Sequence, residues 1–93
     1  MAEKPRVGPG DWITVGKDSG LDAVVSHVYK DPENADVEVV YLDRSGKAIN
    51  EDVVWKEDHW AFKVPGPCGG YADGKTRLGS FVSKLRLGRY SRN

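Results

Sequence analysis

The chain has 93 residues, 39% of them hydrophobic, with eleven glycines, a single cysteine and a formal net charge of zero. That length holds one domain, and a chain so short buries only about 60–65% of the surface its unfolded form exposes, so the core is thin. The composition excludes a disordered chain and a membrane span, and Cys68 alone excludes an internal disulfide; with no apolar core of a signal peptide in the first residues, a reducing, cytoplasmic setting is expected.

Residues 1–9 are polar, contain Pro5 and Pro9, and read as a flexible lead-in. Order is expected from Gly10. Gly10-Asp11-Trp12-Ile13-Thr14-Val15 sets Ile13 and Val15 against Trp12 and Thr14, the period of a strand, and Gly16-Lys17-Asp18-Ser19-Gly20 breaks it. Residues 23–29, AVVSHVY, resume the β-branched character until Pro32, which cannot donate to a ladder. Residues 36–55 hold the densest β-branched run and carry their own turn at Arg44-Ser45-Gly46-Lys47, so they predict a hairpin to which the other strands are added. His59-Trp60-Ala61-Phe62-Lys63-Val64 is the cleanest alternation in the chain, expected to end at Val64 because Pro65 follows.

Residues 65–74 hold two prolines and four glycines around Cys68 and Tyr71, and read as a loop that is long for so small a domain. Residues 80–87 fit two periods. Phe81, Ser83, Leu85 and Leu87 share a strand face, whereas Leu78, Phe81, Val82 and Leu85 fall at helical spacing, with Ser80 as a cap and Gly88 as a stop. The strand is the preferred reading and a short helical turn the alternative. Together the elements predict an all-β domain over residues 10–88, a small antiparallel barrel of five to six short strands, followed by a basic tail at 89–93.

Gly10-Asp11-Trp12-Ile13-Thr14-Val15, the glycine-bounded turn after it and the second strand through Val24 and Val28 resemble the KOW motif, an SH3-like barrel element. Val37-Glu38-Val39-Val40-Tyr41-Leu42-Asp43 with Gly46 is similar to the strand and turn of Tudor domains, a sister SH3-like family. The resemblance implies an SH3-like barrel without chemistry of its own. KOW modules typically contact RNA or ribosomal and transcription partners, and Tudor modules bind modified peptides.

Gly69-Gly70-Tyr71-Ala72-Asp73-Gly74-Lys75-Thr76 satisfies the pattern of a phosphate loop, and residues 39–43 mimic the apolar strand that ends in a magnesium-holding aspartate. A phosphate loop needs a parallel strand before it and a helix after it, so that N–H groups converge on the phosphates. Gly79 follows too closely on Thr76 for a sound helix, so the stretch reads as a glycine-rich connection. Cys68, His27 and His59 have neither the spacing of a zinc site nor that of a nucleophile with its base, so no enzyme, metal or cofactor is expected.

Charge is divided along the chain. Through residue 62 there are seven Lys/Arg against thirteen Asp/Glu, and from Lys63 onward seven against Asp73 alone. One reading is that the basic end pairs with the acidic body; the other is a surface for nucleic acid. Trp55, Trp60 and Phe62 are assigned to the core, which needs large side chains, while Trp12, Tyr29 and Tyr71 lie near loops and make a candidate aromatic patch. The expected function is therefore nucleic-acid binding, RNA in preference to DNA. Lys75, Arg77, Lys84, Arg86, Arg89 and Arg92 would neutralise phosphates while rings stack on bases. The alternative is a protein-interaction module that takes a peptide at the aromatic patch or a barrel edge.

Overall fold

A computed structural model describes residues 4–17, 20–30, 35–63 and 70–89. Among these residues there are six strands, β1 (Trp12–Val15), β2 (Leu21–Val28), β3 (Val37–Leu42), β4 (Ala48–Lys56), β5 (His59–Phe62) and β6 (Gly70–Tyr71), then a 3-10 turn (Thr76–Leu78) and a helix, α1 (Gly79–Leu87). The strand order β3-β2-β1-β5-β4-β6 closes through a further β3–β4 pairing into a five-strand barrel with β6 added outside, an architecture compatible with an SH3-like fold. Closure is not antiparallel throughout, because β1 and β5 run parallel, with Val15 in register with Trp60.

The hairpin organises the barrel as its sequence predicts. Val37 to Leu42 pair in register with Val53 to Ala48, and the connection is tied by Asp43, whose Oδ1 accepts hydrogen bonds from Ser45 N–H, Ser45 Oγ and Lys47 N–H. These bonds, the Ser45 hydroxyl foremost, hold the Asp43 carboxyl below its ordinary pKa. Gly46 takes φ +86°, where a side chain would be strained.

Two cores lie on opposite faces of β2 and β3. Ile13, Val15, Ala23, Val25, Val37, Val39, Val53 and Trp60 fill the barrel, with Tyr41, Trp55 and Phe62 at its margin. Val24, Val40 and Ala48 turn outward and are covered by Ala72, Leu78, Val82 and Leu85. A β-bulge between Val25 and His27 breaks the register at Ser26, whose hydroxyl donates to the Glu38 backbone oxygen and carboxylate.

The outer core requires two corrections. Residues 80–87 form helix α1 instead of a strand, since Val24 and Val40 need an outer cover and the Leu78, Val82, Leu85 stripe supplies it. Gly88, at φ +96°, ends the helix by donating its N–H to Lys84 and Leu85 oxygens, and the basic side chains of Lys84 and Arg86 suit the last turn. The stretch at 65–74 is not wholly a loop, because Gly70 and Tyr71 pair with Asn50 and Ile49. Residues 65–69, with Cys68, lie outside the described residues, as do the expected strand end at Val64 and the tail residue Arg92. No helix among the described residues is long and apolar enough to cross a membrane.

Candidate functional site

The five described cations of the C-terminal run all turn back onto the chain. Arg77 grips Glu38 with both Nη atoms, at 2.8 and 3.4 Å. Arg86 donates to both oxygens of Asp73 at 2.9 and 3.1 Å and to Gly46 O, and Arg89 donates to Thr14 Oγ1 and Asp22 Oδ1. Lys75 reaches Asn50 Oδ1 at 2.9 Å, and Lys84 reaches Gly10 O. Three cations are thus matched by carboxylates and two by neutral oxygens. The Ala48 N–H and the Arg86 guanidinium hold the Asp73 carboxyl below its ordinary pKa.

The three loop aromatics have separate neighbourhoods. Trp12 packs against the outer core. Tyr29 donates its hydroxyl to Asp52 at 2.7 Å and stands edge-on to His27; burial, then the Asp52 carboxylate, pushes its phenol well above the ordinary value. Tyr71 is 59% exposed on β6, with Lys47 Nζ 5.0 Å from its ring centre.

A different aromatic set shares a cavity. Trp12, Trp55 and Trp60 contribute to the lining of a groove of about 410 Å³, walled by Pro5 and Val7 and rimmed by Lys17, Asp58, His59 and Arg89. The parting of β1 from the β4–β5 hairpin opens it, and the two-residue turn at Glu57 and Asp58 explains the aromatic pairing. That turn sets Trp55 opposite Trp60, with ring centres 5.1 Å apart at 69°. Glu57 sits at φ +56° at the hairpin tip, an uncommon conformation for a side-chain-bearing residue. Beside the tip the groove continues into a space of about 510 Å³ between Lys17, Lys56 and His59. His59 Nδ1 lies 2.7 Å from Asp58 Oδ1, a contact that lowers the Asp58 carboxyl. Trp60 is core as expected, whereas Trp55 is half-buried and belongs to this groove as well as to the core margin.

The stretch that matches a phosphate loop has half of the required context. A helix does follow it, contrary to the expectation from Gly79, and a cavity of about 300 Å³ lies between Asp73, Lys75, Thr76 and Val82. Its strand, however, is the two-residue β6, which lies inside the motif and pairs antiparallel with β4. Lys75 is turned to Asn50 and Asp73 to Arg86. Among the described residues no three His, Cys, Asp or Glu side chains gather as a metal ion requires. No protein-family model, curated protein or solved structure matches the chain.

Proposed function

We propose that this chain is a cytoplasmic protein-interaction module of SH3-like type, without chemistry or cofactor of its own, that seats an extended peptide against Trp12, Trp55 and Trp60. One observation carries the reading: a single groove takes its lining from Trp12, Trp55 and Trp60, and its rim presents both signs of charge, Lys17 and Arg89 beside Asp58. Large rigid aromatics around a concave site supply most of the affinity of a small interface. The likeness of the Trp12 and Val37 strands to KOW and Tudor elements agrees with a module of this kind. Peptides selected from a random display library should shift the indole N–H resonances of these three tryptophans. Trp55→Ala should weaken the selected binders about 30-fold, the loss of an aromatic hot spot. Binders that leave all three indoles unmoved would place the ligand elsewhere.

A second reading, single-stranded RNA, is favoured by Lys75 and Lys84, whose partners are neutral and leave their charge available to phosphate. If these two cations each neutralise one phosphate, affinity should fall about sevenfold between 50 and 200 mM salt. Fluorescence anisotropy with a labelled oligonucleotide checks this, and absence of binding at 50 mM salt removes the reading.

A further inference from the structure

Residues 4–10 cross the end of the barrel where β1 and the β4–β5 hairpin part. Gly10 N–H donates to Val25 O, Gly8 N–H to the Asp11 carboxylate, and Val7 packs against the inner core. At the far end Lys4 Nζ lies 3.0 Å from Asp36 Oδ1. The other oxygen of Asp36 accepts the Trp55 N–H at 2.7 Å, and the carboxylate is only 14% exposed. Asp36 is therefore aimed by the strand that carries a groove tryptophan, with one oxygen left for an ammonium. Pro5 and Val7 form a wall of the same groove. Among the described residues, residues 4–7 exchange no backbone hydrogen bond with the barrel, so a cation and an aliphatic side chain hold this arm.

The geometry points to a docking site for an extended partner segment in which a lysine precedes a β-branched aliphatic residue by three positions, with residues 4–7 as the chain's own copy of that ligand. The inference rests on the peptide-binding reading and names the peptide. The lysine pairs with Asp36 and the aliphatic side chain enters the inner core. About 10 Å of extended chain spans the two and passes the tryptophan faces. A partner segment must displace the arm, whose hold is a half-exposed ion pair and one valine.

The probe is a fluorescent peptide of residues 2–9, titrated into the full chain, into Lys4→Ala and into Lys4→Glu/Val7→Ser. Affinity should rise at least tenfold from the wild type to the double variant, with Lys4→Ala intermediate. Asp36→Asn in the Lys4→Ala background should cost about tenfold, since asparagine keeps an acceptor for the Trp55 N–H and removes only the charge. Equal affinity for the wild type and both arm variants overturns the inference, as does affinity indifferent to Asp36→Asn. If library peptides bind the tryptophan groove and this one does not, the inference fails and the groove reading stands; if neither binds, both fail.

Discussion

Leu78→Ala is expected to destabilise the domain by about 3 kcal/mol, the usual cost of emptying a fully buried leucine site. Leu78 is wholly buried between the Val24 and Val40 side of the barrel and the Val82 and Leu85 side of α1, so its loss opens the outer core from both sides. A cost of that size is a large share of the roughly 5–15 kcal/mol that holds a small domain, and lowers its midpoint by about 15 °C. Leu87 supplies the control. It is 60% exposed, and Leu87→Ala should change stability by less than about 0.5 kcal/mol. Urea and thermal denaturation of the two variants separate the helix from the strand over residues 80–87. The strand period would bury Leu87 and expose Val82, so comparable losses for Leu78→Ala and Leu87→Ala would contradict the helical packing.

Residues 80–87 show which parts of the fold are legible in the sequence. Strands half-buried in a barrel alternate, as β1 and β5 do, and those were readable from Ile13 with Val15 and from Trp60 with Phe62. β2 and β3 do not alternate. Ala23, Val24 and Val25, and likewise Val39 and Val40, are consecutive apolar residues, the mark of strands covered on both faces. A five-strand barrel covers only one face, so these runs already required a second layer. Local periodicity at 80–87 was ambiguous, and the tertiary requirement decided it.

The charge asymmetry was equally plain, but its use was not. Arg77 meets Glu38, Arg86 meets Asp73 and Arg89 meets Asp22 across separations of 39, 13 and 67 residues, which no local pattern encodes. In the described residues, the reading in which the basic end pairs with the acidic body accounts for two of the five cations, Arg77 and Arg89, while Arg86 pairs with Asp73 inside the basic end itself. The tryptophan groove did leave a signal. A two-residue turn at Glu57 and Asp58 places residue 55 opposite residue 60, so the Trp55–Trp60 pair follows from hairpin geometry. Trp12 joins them only through the parallel closure of β1 on β5, and Asp36 through its bond to the Trp55 N–H; both are long-range facts.

Glu38→Gln should cost about 2 kcal/mol at pH 7, because Glu38 is the junction between the barrel and the segment that leads into α1. The carboxylate, 10% exposed, accepts from Ser26 Oγ, from two Arg77 nitrogens and from Asn50 Nδ2. Glutamine offers one oxygen where these donors use two, and turns an NH₂ group toward other donors. Acid should reproduce the loss. Burial by itself would raise the Glu38 pKa, but the hydrogen bonds from Arg77 and Ser26 and the Arg77 charge outweigh it and hold the folded value below 4.5. The unfolded chain then binds the proton more readily than the folded one. The stabilisation is fully present above pH 4.5 and is lost as pH falls through the lower, folded value. Asp43, Asp58 and Asp73 are lowered in the same direction, so the whole domain weakens in acid and the wild type alone cannot isolate Glu38. The comparison does. Urea titrations of the wild type and Glu38→Gln should show the gap of about 2 kcal/mol at pH 7 narrowing at pH 3, where the glutamate is itself being neutralised. A gap of unchanged size would mean that the side chain holds Arg77 by shape and packing, with its charge contributing nothing.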